Sequence, residues 1–289
     1  MEYYYVVLGS EWDLYKMSYS DIASSEKATY YAGLSSIYGN KLAKYLNSVL
    51  IRVTGIPIGR YLLKPLYRKL KRIKSPICFI LFGNWVEYEV SIKYLDHLKI
   101  LFPNSRYVWF MQDLVDTHPR IKSRINQLIH KFNLVLSFDY SDCKKYNLIY
   151  YPLVFSSVEL NQGDIKDCDV YFLGKAKNRL PEIIKTYEFL KSKGLKVDFY
   201  LVGVPKEQQV YADQIHYIKG MSYIDNLRHI KGCKCALEIM QKGGSGYTQR
   251  VSEILFFNKM IITNNQYLKQ APFYDSSNMN IIDDSFSID

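Results

Sequence analysis

Along this chain, apolar residues come in short continuous runs separated by stretches with helical spacing. In the first half the runs are "YYYVVLG" (3–9), "ICFILFG" (77–83), "YVWFMQD" (107–113) and "LVLSFDY" (134–140), with helix patterns near 24–50, 87–101 and 119–132. Runs so short and so uniformly apolar suit strands buried on both faces, and their alternation with helices predicts a parallel α/β sheet. Several end in Gly or Asp, where an open sheet of this kind places its binding crevice. The polar stretch "SSVELNQGDIKD" (156–167) reads as a linker, and a second series follows it. There, strands are expected at 170–174, 196–203, 215–220, 234–240 and 260–265, and helices at 181–193, 222–231 and 247–257. The expectation is two Rossmann-like, doubly wound parallel-sheet domains facing one another, at 1–156 and 157–289.

The pattern breaks at "MQKGGSGYTQRVSEILFF" (240–257), where Gly243, Gly244 and Gly246 stand between an apolar run and a helix. Glycines so placed mark a backbone that bends sharply or that something approaches closely. On a helix over 247–257, Tyr247, Val251, Ile254 and Leu255 form one apolar stripe, while Gly246, Gln249 or Arg250, and Glu253 follow another side. The helix N-terminus carries partial positive charge, so glycine loop and helix start together suit a phosphate. Glu253 lies roughly 10 Å further along the axis, at 1.5 Å per residue. That is the reach from a sugar diphosphate to a ribose whose hydroxyls a carboxylate accepts. The same residues also read as a tight turn with a surface glutamate. A dinucleotide fingerprint is excluded by the loop's late position and a Walker loop by the missing Gly-Lys-Ser/Thr.

A second loop, "FLGKAKNRLPEII" (172–184), puts Lys175, Lys177 and Arg179 between a strand and a helix, with Pro181 suited to the first turn. Three cations at a helix N-terminus oppose its dipole unless an anion sits among them. Gly174, Lys175 and Arg179 therefore join the candidate anion site; a solvated basic loop is the plain alternative.

Charge adds one feature. No acidic residue occurs between Glu26 and Glu87, whereas ten basic ones lie from Lys41 to Lys74, which equals the net charge of +10. In "GRYLLKPLYRKLKRIK" (59–74) the cations alternate with Leu62, Leu63, Leu66, Tyr67 and Leu70 at helix-like spacing. Such a segment suits an anionic membrane surface, and otherwise a solvated face. No apolar stretch reaches the ~20 residues of a membrane-spanning helix. The acid at Glu2 and the absence of a basic leader make the N-terminus read as a strand rather than a signal peptide. The aromatics sit in apolar runs without RNP-like spacing, so a nucleic-acid partner is not expected. Five scattered cysteines, including the isolated pair Cys233 and Cys235, read as buried thiols and not as a zinc site.

Four segments resemble the GT-B glycosyltransferases, those with two facing Rossmann-like domains, and among them bacterial enzymes of capsule and O-antigen assembly. They are "SFDYSDCKKYNLIYYPLVF" (137–155), "DVYFLGKAKNR" (169–179), "YIKGMSYIDNLRHIKGCKCALEIMQ" (217–241) and "SGYTQRVSEILFFNKMIITNN" (245–265). The resemblance implies a C-terminal domain that holds a nucleotide-sugar donor, with UDP the first expectation. It assigns Glu253 to the ribose; Gly246, Tyr247, Thr248 and Arg250 to the diphosphate; and Lys219 to Tyr223, with Met221, to the base, while Gly244 of the glycine loop joins the donor-binding residues. The chain departs from the two-glutamate pattern of retaining members, because Ser245 stands eight positions before Glu253. Glu238, ending the preceding strand, is the substitute carboxylate or a buried structural acid. Many relatives continue into helices that pack back on the N-terminal domain, whereas this chain ends at "SFSID".

An inverting transfer needs a base for the acceptor hydroxyl. Asp13, Asp113, Asp116, His118 and Asp139 follow N-terminal strands, and the Asp113, Asp116 and His118 group is favoured. Its alternative is a helix cap with Thr117 at N-cap and Pro119 beyond. No Asp-x-Asp motif ends a strand, so neither an obligatory metal nor another cofactor is expected. The acceptor expected is a glycan or a lipid-diphosphate-linked sugar at the inner membrane face, met through residues 41–74. The competing expectation is a non-catalytic nucleotide- or membrane-binding protein of the same fold.

Overall fold

The structure, a computed structural model, describes residues 2–32, 41–58, 63–88, 92–160, 167–241 and 243–282. Arg60 and Leu62 of the basic segment, residues 161–166 of the expected linker and the terminal "SFSID" lie outside them, as do the side chains of Lys41 and Lys44.

The chain divides into two compact units, Met1–Pro152 and Leu153–Asp289. The division falls between residues 152 and 153, against an expected boundary at 156/157. The fold class is α/β, with an all-parallel sheet of six strands in each unit.

In the first unit, β1 (Tyr4–Leu8), β2 (Ala28–Tyr31), β3 (Ile77–Phe82), β4 (Arg106–Met111), β5 (Leu134–Ser137) and β6 (Ile149–Tyr150) lie in the order β2-β1-β3-β4-β5-β6. The apolar runs fill the core on both faces of the sheet, as a parallel sheet requires. Phe79 stacks on Tyr107 at 5.3 Å, and Trp109 meets Phe132 at 5.5 Å. Two expected helices are corrected. The pattern over 24–50 instead holds edge strand β2 and the start of the helix Lys41–Thr54. "ATYY" pairs with β1 because its β-branched and aromatic residues suit a pleated, half-buried surface better than a helix. The pattern over 119–132 breaks into the short turns Pro119–Lys122, Ile125–Leu128 and Ile129–Lys131.

In the second unit, β7 (Cys168–Lys175), β8 (Val197–Val202), β9 (His216–Ile218), β10 (Cys233–Glu238), β11 (Met260–Thr263) and β12 (Met279–Ile281) lie in the order β12-β11-β10-β7-β8-β9. The chain steps outward from β7 to β9, returns beside β7 as β10, and steps outward the other way. This is the doubly wound order whose switch point lies between its first and fourth strands, here β7 and β10. The helices Leu180–Ser192, Tyr223–Gly232 and Gln249–Phe256 connect these strands. Ile183, Tyr187, Leu190, Phe199, Leu201 and Leu237 form the heart of one core cluster.

Candidate functional site

The carboxyl ends of β7 and β10 are where a doubly wound sheet leaves a crevice, because the two flanking connections depart to opposite faces. Both loops singled out in the sequence begin there. After β7 come Lys175, the turn Lys177–Arg179 and the helix Leu180–Ser192, with a proline in its first turn. After β10 come the glycines and the helix Gln249–Phe256.

Arg179 ties the two strand ends together. Its Nη2 donates to the Lys175 carbonyl at 2.6 Å, and its Nη1 donates to the Ile239 carbonyl just past β10. Its Nε is buried and has no hydrogen-bond partner among the described residues. Burial pushes the guanidinium pKa down, and Glu238 nearby opposes that shift. Lys177 adopts a left-handed φ of 45° and reaches the Gln241 side chain at 3.0 Å. Lys175 is exposed and, among the described residues, forms no ion pair. Gly174 is half-buried, and a Cβ there would stand 2.9 Å from the Phe172 ring.

The glycine loop has two halves. Gly243 is exposed at φ +88° with open space around it, a conformation that a side chain would strain. Gly244 follows, half-buried, its N–H bonded to the Gln241 carbonyl at 3.1 Å. From Ser245 onward the loop is packed by its own side chains. Ser245 is 1% exposed and Tyr247 7% exposed, with the Tyr247 ring 5.2 Å from Phe273. Asn265 donates to the Gly246 carbonyl at 2.9 Å. Thr248 caps the helix by accepting from the Arg250 N–H at 3.2 Å, and its hydroxyl donates to Glu238 Oε1. Room for a ligand to meet the loop backbone therefore lies at Gly243.

Both glutamates face inward. Glu238 is 5% exposed, with Thr248 on one oxygen and Thr263 donating to the other at 2.6 Å. Burial raises its pKa despite both hydroxyls and the nearby Arg250 and Arg179. Glu253 is 3% exposed; its Oε1 accepts from Asn226 Nδ2 at 3.3 Å, and its Oε2 lies 3.1 Å from Arg250 Nη1. Burial raises this pKa as well, against the pull of Arg250. Arg250 Nη2 also donates to the Leu173 carbonyl at 3.2 Å, and its guanidinium lies over the Tyr171 ring at 5.5 Å. The Tyr171 hydroxyl donates to Asn226 Oδ1 at 3.1 Å and touches the Met221 sulfur at 3.6 Å. The expected apolar stripe is corrected here, since Glu253 turns inward with Val251 and Ile254 while Leu255 is 43% exposed. A carboxylate can take an inward position because Arg250 and Asn226 answer it.

Gly174, Lys175, Arg179, Met221, Glu238, Gly244, Gly246, Tyr247, Thr248, Arg250 and Glu253 thus gather around the ends of β7 and β10. Tyr171, Asn226, Thr263 and Asn265 complete the network and were missed. The signal for Asn226 was present: it shares the helix stripe of Tyr223, Leu227 and Ile230, where a polar residue needs a buried partner. One strand further out, a cavity of about 340 Å³ opens between the ends of β8 and β9, lined by Val202, Gly203, Val204, Gln209, Tyr217 and Lys219.

In the first unit the acidic group divides. Asp113 Oδ2 lies 3.5 Å from His118 Nε2, with side chains 59% and 31% exposed. Asp116 turns instead to Lys122 at 2.9 Å and Lys145 at 3.0 Å, whose hydrogen bonds hold its carboxyl below the usual range. Thr117 does not cap the following helix; its hydroxyl donates to the Leu114 carbonyl at 2.7 Å. Asp139 is fully buried and caps the helix Tyr140–Tyr146, accepting from the Asp142 N–H at 3.0 Å. All five cysteines are free, and burial raises the Cys233 and Cys235 thiols to about 11 and about 12. Among the described residues, no cluster of three or more His, Cys, Asp or Glu side chains is placed to hold a metal, and no helix is long and apolar enough to cross a membrane.

No protein-family model and no curated protein matches the chain. Among solved structures it is similar to an alpha-glucosyltransferase in complex with UDP-glucose and abasic-site DNA. The TM-score is 0.41 at 13% identity, covering 68% of this chain and 63% of that one, less than two thirds of its length. It is also similar to the glycosyltransferase of kitacinnamycin (TM-score 0.43, 10% identity, 100% of this chain and 88% of that one). A third is the N-terminal domain of Candida albicans trehalose-6-phosphate phosphatase (TM-score 0.46, 12% identity, 94% and 85%). Likenesses of this size leave the activity to be argued from the chain's own residues.

Proposed function

We propose that this chain is a nucleotide-sugar-dependent glycosyltransferase of the two-domain GT-B kind. The second unit takes the donor and the first takes the acceptor. One observation carries the reading. Near the β7/β10 switch point are exposed Lys175, the buried Nε of Arg179, without a hydrogen-bond partner among the described residues, and the exposed backbone of Gly243. Each favours negative charge, and together they suit a diphosphate. The cavity between the ends of β8 and β9 contains Lys219, from the stretch expected near the base, and its size suits a nucleobase.

In the transfer, an acceptor hydroxyl attacks the anomeric carbon and the bond to the donor diphosphate oxygen breaks. The base proposed for the acceptor hydroxyl is His118 of the first unit, whose ring lies 3.5 Å from Asp113. Lys175, Arg179 and the helix start meet the charge that grows on the leaving group. Asp116, with two lysines, serves that surface electrostatically and is a poor base. Glu238 and Glu253 act from below: they hold Thr248 and Arg250, which fix the loop and the helix start. A ribose contact by Glu253 would require Arg250 or Asn226 to release it. The acceptor we favour is a lipid-diphosphate-linked sugar or oligosaccharide of bacterial surface polysaccharide assembly.

The test is thermal unfolding with UDP, GDP, CMP, dTDP and inorganic pyrophosphate. One nucleoside diphosphate should stabilise by about 2.7 kcal/mol at a hundredfold excess over its dissociation constant. Lys175→Ala should weaken its binding about tenfold, the loss of one charge-assisted contact. No shift with any of the five would remove the basis for a donor site.

A further inference from the structure

The helix Lys41–Thr54 carries two apolar faces where a surface helix needs one. The inner face holds Asn47, 5% exposed, whose side-chain oxygen accepts from the Ile58 N–H at 2.8 Å, with Ala43, Leu50 and Ile51 half-buried beside it. The outer face holds Leu42, Tyr45, Leu46, Val49 and Val53, which are 64%, 66%, 48%, 39% and 74% exposed. Their spacing of i, i+3, i+4, i+7 and i+11 draws a continuous stripe about 100° wide and nearly the length of the helix. Scattered exposed apolar residues are ordinary, but five aligned on one helix face are not.

Charge identifies what covers the stripe. At 3.6 residues per turn, exposed Arg52 falls along one margin of the stripe, beside Tyr45. Further along the chain, Lys64, Arg68, Lys69, Lys71, Arg72 and Lys74 are all exposed, and no acidic residue lies anywhere between Glu26 and Glu87. A partner of mixed surface charge would leave this one-sign field uncompensated, whereas a sheet of anionic headgroups over an apolar layer matches both features.

We infer that the helix Lys41–Thr54 lies in the interface of an anionic lipid surface, its Leu42/Tyr45/Leu46/Val49/Val53 stripe in the acyl boundary and its basic neighbours on the headgroups. The helix lies flat and does not span: its 14 residues measure about 21 Å along the axis. This goes beyond the donor-site reading and does not depend on it.

The test is co-sedimentation of the full chain with vesicles of phosphatidylcholine alone or with one third phosphatidylglycerol. Binding should be strong only to the anionic vesicles and should fall steeply between 50 and about 300 mM salt. The double variant Leu46→Asp/Val53→Asp should bind anionic vesicles at least about tenfold more weakly while unfolding at an unchanged temperature, since both side chains are exposed. Nucleotide stabilisation of the same protein, read in parallel, should be untouched, so failure of docking and failure of the donor site are separable. The inference is overturned if the wild type stays in solution with anionic vesicles at low salt, or if the double variant binds equally well. It is also overturned if the wild type is a dimer that the double variant splits, or if the basic segment retains single-stranded RNA in place of vesicles.

Discussion

Glu253 and Arg250 are each other's counterion in a nearly water-free setting, and that pairing sets what either can do. Removing one partner leaves the other buried and uncompensated, which costs about 3–5 kcal/mol. Glu253→Ala should therefore destabilise the protein by that order, with Glu253→Gln retaining part through the Asn226 contact; urea unfolding of both variants measures it. Glu238 differs in having hydroxyl partners, and burial dominates its raised pKa. A raised folded-state pKa means that the native state keeps its proton longer than the unfolded one. Stability is then full below the ordinary value near 4.5 and declines as pH rises from there through the folded-state pKa. Glu238→Gln should flatten that part of the profile of unfolding temperature against pH, and an unchanged slope would assign the decline elsewhere. The burial of Glu238 was one of two readings the sequence offered; the inward turn of Glu253 toward Arg250 and Asn226 was not among them. Period alone gives a helix face to each residue, and nothing in "YTQRVSEIL" announces that Asn226, 27 positions earlier, waits opposite Glu253.

Elements followed the pattern where apolar runs were long. All six strands with five or more residues fall inside or within two residues of their expected spans, because a strand buried on both faces admits few polar residues. The short edge strands β2, β6 and β12 escaped notice, being two to four residues of ordinary composition whose pairing is decided by the neighbour. The loop after β7 shows why residue type alone underdetermines role. Lys175 and Arg179 look alike as loop cations, yet Arg179 hydrogen-bonds two carbonyls while Lys175 stands exposed. Arg179→Ala should cost about 2 kcal/mol or more, the loss of charged donors to two strand ends, whereas Lys175→Ala should stay within about 0.5 kcal/mol. Denaturant midpoints of the two variants decide it.

At the scale of the molecule, two parallel sheets with doubly wound connections were legible as an alternation of runs and helices. The strand order was not, because it depends on which face each crossover helix covers. Once β10 is known to return beside β7, the two loops noticed separately in the sequence become one place, and its charge balance follows. The central claim is that a diphosphate binds at that place. Hydrogen–deuterium exchange with and without saturating UDP tests it most directly. We predict slowed exchange in peptides covering residues 174–179 and 239–250, where a ligand would shield amides beside Lys175 and Gly243. Exchange unchanged in those peptides at saturating nucleotide, or slowed only within residues 1–152, would contradict the account.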